Sequence, residues 1–146
     1  MRFRRFRDEQ RSLTQPGPAA IPPGATVVLL VEDELAQRQL FAFALRREGY
    51  WVFEARHGGE ALDVARQLPR LDLVVTDVVM PVLKGPDMAA KLREQFPQVK
   101  VLFVSGFLFN EQLEPDARLM QKPFVRSDLV RHVAELIGPP QLPSVA

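Results

Sequence analysis

The 146-residue sequence has no cysteine, which excludes disulfides, thiolate metal ligands and cysteine nucleophiles. It also lacks an apolar run of the roughly 20 residues that cross a bilayer, and its basic N-terminus lacks the apolar stretch of a signal peptide. Apolar residues make up 47% of the chain and charged residues 25%, as in ordinary globular proteins. We therefore expect one folded domain in the cytoplasm, with no membrane insertion.

Both ends of the chain differ in composition from the middle. Residues 1–24 combine five arginines with two acids, and their second half contains four prolines. Proline fixes φ and has no backbone N–H, so this stretch is predicted to be an extended linker without helix or strand. We expect 1–24 to be a disordered basic arm and linker, with contact to nucleic acid or an acidic partner as the alternative. Residues 138–146 are predicted to form a C-terminal tail, because a glycine and two prolines end the last helix.

Between residues 25 and 137, short apolar runs alternate with segments of helical spacing. Apolar runs without polar alternation are typical of parallel strands that helices cover on both faces. Five strand–helix units predict an α/β fold with an open, doubly wound, five-stranded parallel sheet. The predicted strands are Thr26–Val31, Tyr50–Ala55, Leu71–Thr76, Lys100–Ser105 and Leu119–Gln121. The predicted helices are Glu34–Glu48, Gly59–Leu68, Pro86–Phe96, a short fourth helix at Asn110–Glu114, and a last helix that Ser127 caps and that ends at Ile137.

Polar side chains stand at the carboxyl ends of four predicted strands. The first strand runs into Glu32 and Asp33, the third into Asp77 and the fifth into Lys122, while the fourth ends at Ser105. Ligands of parallel sheets bind at this edge, so we expect these side chains to meet in one cleft. Three carboxylates in one cleft repel each other, and a hard divalent cation with oxygen ligands relieves that repulsion. The Lys122 ammonium relieves it further.

This set of side chains suits phosphoryl transfer to a carboxylate. The transition state spreads charge over three equatorial oxygens, which Mg²⁺, Lys122 and the Ser105 hydroxyl with a backbone N–H could hold. Asp77 would be the nucleophile and would form an acyl phosphate. Each residue alone also has an ordinary structural explanation: Asp33 as a helix cap, Ser105 as a turn residue and Lys122 as a solvated charge. Their common position at one edge of the sheet favours the functional interpretation.

Four motifs in this order and spacing resemble those of response-regulator receiver domains: VVLLVEDE, DLVVTDVVMP, VLFVSGF and QKPF. The resemblance covers residues 25–137 and implies the CheY-like, flavodoxin-like fold with strand order 2-1-3-4-5. It implies a two-component phosphorelay protein that accepts a phosphoryl group from a histidine kinase or a histidine phosphotransfer protein. The phosphorylated domain would then switch protein–protein interactions. The resemblance implies self-phosphorylation and dephosphorylation chemistry only, without enzymatic turnover. Because no output domain follows residue 137 in this sequence, we expect no direct DNA binding.

The resemblance also assigns the acidic residues. Asp77 matches the phosphoacceptor, and Asp33 matches the acid that ligates Mg²⁺ directly, for which Mn²⁺ could substitute. Glu32 matches the acidic neighbour that often acts through water. Val79 would supply a backbone carbonyl to the metal.

Two further residues of the site have counterparts in the family. Ser105 matches the switch hydroxyl and Lys122 the invariant lysine, whose bond to Pro123 is expected to be cis.

Several positions near the site are expected to control switching and access. Leu119 stands where many receivers carry a Tyr or Phe that rotates on activation. Because the stretch between the fourth and fifth strands is shorter than usual, we expect activation to act through order and disorder of residues 106–118. Gly106 leaves room for a kinase histidine. Val79 and Phe107 are apolar and cannot orient a water, so spontaneous hydrolysis is expected to be slow.

Leu119 and the short stretch between the fourth and fifth strands depart from the usual family pattern. In these features the sequence resembles two subgroups, the receivers of hybrid histidine kinases and the single-domain receivers. Two other functions would leave different sequence patterns. A phosphorylation-independent receiver-like scaffold would be favoured by loss of a site residue, and none is lost. A phosphatase with an Asp nucleophile would carry the nucleophile after the first strand, with a second Asp two residues on. In this sequence Leu35 stands two residues past Asp33.

Overall fold

The computed structural model describes residues 17–79, 83–106 and 117–140. Within these ranges the strands are β1 (Val27–Val31), β2 (Trp51–Ala55), β3 (Leu73–Asp77), β4 (Lys100–Ser105) and β5 (Ala117–Gln121). The helices are α1 (Leu35–Glu48), α2 (Gly58–Arg66), α3 (Gly85–Gln95) and α4 (Arg126–Ile137). Each of these elements begins and ends within two residues of its predicted boundary. The predicted short helix at Asn110–Glu114 lies outside the described residues.

The five strands form one parallel sheet in the order β2-β1-β3-β4-β5. This order confirms the predicted doubly wound, CheY-like topology. β1 has β2 on one side and β3 on the other, so the order in which the chain adds strands to the sheet changes direction at β1. Ligand sites of open α/β sheets lie outside the strand ends at such a reversal. The site is therefore expected where β1 and β3 end side by side.

The apolar runs are buried because the sheet is covered on both faces. All five residues of β1 are buried, and successive side chains point to opposite faces. Val27, Leu29 and Val31 belong to a cluster that includes residues of α2 and α3. Val28 and Leu30 belong to a second cluster that includes residues of α1 and α4. Both layers of helices thus anchor the strand that leads into Glu32.

Two helix ends test the predicted stop and start residues. Gly49 ends α1 with φ of +112°, a left-handed conformation that glycine adopts without strain, as its sequence position predicted. The predicted Ser127 cap of α4 is wrong, because Val125 is the N-cap. The Asp128 carboxylate accepts the backbone N–H of Val125 at 3.2 Å and so satisfies the first turn from inside the helix.

The described part of the predicted linker is not wholly extended. Pro18–Ala20 form one turn of 3-10 helix, and Ile21 packs against the core. The prediction that the prolines exclude helix is wrong at this turn, because proline is tolerated at the first position of a helix. No helix in 17–79, 83–106 or 117–140 is long and apolar enough to cross a membrane. The domain limits at 25 and 137 remain predictions.

Candidate functional site

The three predicted carboxylates meet where β1 and β3 end. Val31 pairs with Thr76, so the residues that follow them lie at the same edge of the sheet. Oxygens of Glu32, Asp33 and Asp77 all lie within 4.8 Å of one another. Glu32 is only 4% exposed, while Asp77 is half-buried and Asp33 is exposed. One side of the group is thus embedded in the protein and the other faces solvent.

The main chain around Glu32 is fixed by hydrogen bonds on both sides. Its N–H donates to the carbonyl of Ala55 at 3.0 Å, and its own carbonyl accepts from Nη1 of Arg38 at 2.8 Å. The Glu32 carboxylate accepts the N–H of Glu34 at 3.2 Å. The sequence interpretation missed Arg38. The only feature of the sequence that points to Arg38 is its place in the helix that follows an acidic strand end.

The β3 end depends on a glycine close by. A Cβ at Gly85 would overlap the Asp77 carbonyl oxygen and lie 3.3 Å from the Phe103 ring. The Gly85 N–H donates to the Val78 carbonyl at 3.0 Å. The start of α3 therefore lies directly against the backbone of the proposed phosphoacceptor, which only glycine allows.

Lys122 reaches the acidic group from β5. Its Nζ lies 3.2 Å from Oδ1 of Asp77 and 3.5 Å from Oε2 of Glu32. The same Nζ donates to Oε1 of Gln37 at 3.2 Å, a contact that the sequence interpretation also missed. The Lys122 N–H donates to the Ser105 carbonyl at 2.8 Å, and the Lys122–Pro123 bond is cis as predicted.

The electrostatics of the group follow from its burial. Burial raises the pKa of Glu32 to about 8, and the hydrogen bond and charge of Asp77 add to this against the opposing effect of Lys122. Burial lowers the pKa of Lys122, but the Asp77 and Glu32 carboxylates outweigh it, so the pKa is raised overall. Without a bound metal ion, burial and Asp77 thus favour the protonated form of Glu32, while the two carboxylates favour the charged form of Lys122.

The donor set fits a hard divalent cation. Three of the four predicted ligands are the grouped carboxylates and the fourth is the Val79 backbone carbonyl, and oxygen ligands are what such ions prefer. A divalent ion would favour the charged form of Glu32 against the burial and the Asp77 carboxylate that raise its pKa.

The predicted switch residues belong to β4, to β5 and to the position after β4. Ser105 is buried at the end of β4 and follows Val104, the register partner of Asp77. Gly106 is exposed, and a Cβ placed there would meet nothing within 4 Å. Leu119 is half-buried, pairs with Phe103 and packs against the core on the α2 and α3 side.

Of the two residues predicted to control water access, the structure describes Val79 but not Phe107. Val79 is 66% exposed, beside the half-buried Asp77. Phe107 lies outside the described residues, as does most of the predicted switch segment 106–118.

Comparisons with known proteins agree on one family. The model of the response regulator receiver domain matches residues 28–134. The sensor kinase CckA of Brucella abortus is 42% identical over 120 residues, which are 78% of this chain and 13% of the kinase. The response regulator receiver protein CpdR of Brucella abortus is 30% identical over 115 residues, which are 75% of this chain and 95% of CpdR. The chain thus spans a small part of the kinase and nearly the whole of CpdR.

Solved structures give the same result. The receiver domain of the hybrid histidine kinase CckA is 35% identical and superposes with a TM-score of 0.68, covering 76% of this chain and 98% of that domain. A CheY-like receiver protein of Methanospirillum hungatei is 26% identical with a TM-score of 0.67, covering 77% and 93%. Receiver domains are signalling switches and not classical enzymes. With the family model matching most of its length, this chain belongs to the response regulator receiver family of two-component signalling.

Proposed function

We propose that this receiver takes a phosphoryl group onto the Asp77 carboxylate in a Mg²⁺-dependent reaction and then changes its protein contacts. The observation that carries the proposal is the position of the Lys122 ammonium, 3.2 Å from Asp77 Oδ1, at the same edge as the carboxylates of Glu32 and Asp33. A nucleophile, a fixed cation and a set of oxygen ligands are the components that phosphoryl transfer needs.

The reaction is a displacement at phosphorus. An oxygen of Asp77 attacks the phosphorus of a phosphohistidine, a new oxygen–phosphorus bond forms, and the nitrogen–phosphorus bond breaks. The histidine leaves with the bonding electron pair, and Asp77 becomes an acyl phosphate. Lys122 would hold one phosphoryl oxygen, and the Ser105 hydroxyl would donate to another.

The acidic residues have the second task of holding the cation. Asp33, Asp77 and the Val79 carbonyl, with Glu32 acting through water, would hold Mg²⁺ or Mn²⁺. The ion supplies neutralisation of the charge on the transferring oxygens. Glu32 and Asp33 then have no covalent role. Their substitution should weaken metal binding without creating or removing a phosphorylation site.

The phosphodonor is proposed to be a histidine kinase or a histidine phosphotransfer protein. The 42% identity to a segment of a sensor kinase supports a kinase-linked partner. Kinases of this class use ATP, so a cytoplasmic location is part of the proposal.

The test uses a small phosphodonor. The chain is incubated with acetyl phosphate, with Mg²⁺ or with a chelator, and its intact mass is measured. Wild type should gain one phosphoryl group only with Mg²⁺, and Asp77→Asn should gain none because an amide is a poor nucleophile. Asp63→Asn is the matched control, since Asp63 is an exposed acid of α2 paired with Arg66. Equal labelling of wild type and Asp77→Asn would contradict the proposal.

A further inference from the structure

A buried arginine connects the acidic site to the neighbouring strand. Arg38 lies one turn into α1, and its side chain is only 10% exposed. Its Nη1 donates to the Glu32 carbonyl at 2.8 Å, and its Nε lies 3.5 Å from Oε1 of Glu54 in β2. The Arg38 guanidinium thus links the Glu32 carbonyl, at the end of β1, to the Glu54 carboxylate in β2.

The bond to Glu32 acts on the residue that follows. The Glu32 carbonyl belongs to the planar peptide group that leads into Asp33. A donor that fixes this carbonyl therefore also fixes the direction in which Asp33 leaves β1. On its other side, Glu32 is held by the bond from its N–H to the Ala55 carbonyl. The Asp33 side chain is exposed, so its position depends on this backbone.

Glu54 orients the arginine. Its Oε1 faces Arg38 and its Oε2 lies 3.1 Å from Nη2 of Arg46, so one carboxylate compensates two buried cations. The planar guanidinium presents separate N–H groups in a fixed fork, so Arg38 serves a carbonyl and a carboxylate at once. A lysine would keep the charge but not this geometry.

We propose that Arg38, oriented by Glu54, is a positioning residue that presets Glu32 and Asp33 for the divalent cation. The inference rests on the proposed metal site. Partners that orient metal ligands from outside the coordination shell typically change metal affinity by about 10–100-fold when they are removed. Arg38 is such a partner, because it holds the Glu32 backbone carbonyl and not a ligand side chain.

Arg46 provides an internal comparison. Its side chain is 7% exposed and pairs with the same Glu54 carboxylate. Its other hydrogen bond goes to the carbonyl of Val52 at 2.6 Å, within β2 and not at the acidic site. Loss of either arginine disturbs the α1–β2 packing, but only loss of Arg38 removes the bond to Glu32.

The test measures Mn²⁺ affinity by the electron paramagnetic resonance signal of the free ion. Arg38→Lys, which keeps the charge, should weaken binding by about tenfold or more, and Glu54→Gln should weaken it in the same direction. Arg46→Lys should bind Mn²⁺ as wild type does. In the metal-free protein, the Asp33 amide resonance should move in Arg38→Lys and stay in Arg46→Lys. If Arg38→Lys fails to fold, Glu54→Gln carries the comparison.

The outcomes separate the inference from the site on which it rests. Unchanged affinity in Arg38→Lys, or equal weakening in Arg46→Lys, would overturn the role of Arg38. Unchanged affinity in Asp33→Ala would overturn the metal site itself. Strong weakening in Asp33→Ala, together with wild-type affinity in Arg38→Lys and Glu54→Gln, would remove the inference and leave the proposed function standing.

Discussion

The Nζ of Lys122 lies 3.2 Å from Oδ1 of Asp77, so the proposed nucleophile has a cation against it in the unphosphorylated chain. The same ammonium contacts Glu32 and Gln37, which hold it from two other directions. These three acceptors already order the Lys122 side chain. It therefore loses little further rotamer freedom when it binds a phosphoryl group. Charge stabilisation at this site is therefore prepared before the phosphoryl group arrives.

Metal affinity should depend on pH through Glu32. Its pKa is raised from an ordinary 4.5 to about 8, chiefly by burial, so a bound cation must displace a proton at neutral pH. Mn²⁺ affinity of the wild type should rise as the pH approaches 8. Glu32→Gln should abolish the rise, whereas Glu34→Gln, the control at an exposed neighbouring acid, should retain it. A pH-independent wild-type affinity across this range would contradict the assignment.

The same shift should appear in stability. The folded metal-free protein binds more protons at Glu32 than the unfolded chain between pH 4.5 and about 8. The stability that Glu32 contributes is therefore complete below pH 4.5 and is lost as the pH rises through about 8. Urea unfolding with a chelator present should show this loss in wild type and a smaller loss in Glu32→Gln. Identical pH profiles for the two proteins would show that Glu32 titrates normally.

Gly85→Ala should damage both stability and metal binding. The new Cβ would overlap the Asp77 carbonyl, so the end of β3 or the start of α3 must move. Forced overpacking of this kind costs about 1–3 kcal/mol of unfolding free energy. Gly59→Ala is the control, because its Cβ would meet only the His57 ring at 3.4 Å. Chemical denaturation and Mn²⁺ titration of both variants would measure the effect, and equal values for the two would be inconsistent with the close approach at Asp77.

Gly106 should control access for a protein donor. Because a Cβ there meets nothing within 4 Å, Gly106→Ala should fold and accept phosphate from acetyl phosphate as wild type does. Gly106→Phe should slow transfer from a phosphorylated histidine phosphotransfer protein by on the order of tenfold or more, since misplaced reactants lose their alignment. Its reaction with acetyl phosphate should change less. Equal slowing with both donors would point to damage at Asp77 instead of blocked access.

The lifetime of the phosphorylated chain should depend on the apolar rim. Val79 is exposed two residues past Asp77 and cannot orient an attacking water by hydrogen bonding. Val79→Asn, alone or with Phe107→Glu, should therefore shorten the lifetime of the phosphoryl group, measured by loss of label after the donor is removed. Unchanged loss in the double variant would show that water access is not limiting.

The sequence predicted the fold and the acidic site because both depend on local patterns. The unbroken apolar run of β1 predicted burial on both faces, and the polar residues at the carboxyl ends of β1, β3, β4 and β5 predicted one shared edge. Gln37 and Arg38 could not be predicted, since their partners lie 85 and 6 residues away and the contacts depend on how α1 packs. Serine is a favourable N-cap type, which predicts Ser127 as the cap of α4, but the helix begins at Arg126 and so Val125 occupies the N-cap position.

The central claim is that the phosphoryl group is attached to Asp77, and chemical trapping tests it most directly. Borohydride reduces an acyl phosphate of aspartate to homoserine, so the modified position can be read by peptide mass spectrometry. After reaction with acetyl phosphate and Mg²⁺, homoserine is predicted at position 77 and nowhere else. The label should be absent when the metal is chelated. Homoserine at Asp33 or at any other carboxylate, with Asp77 unchanged, would contradict the account.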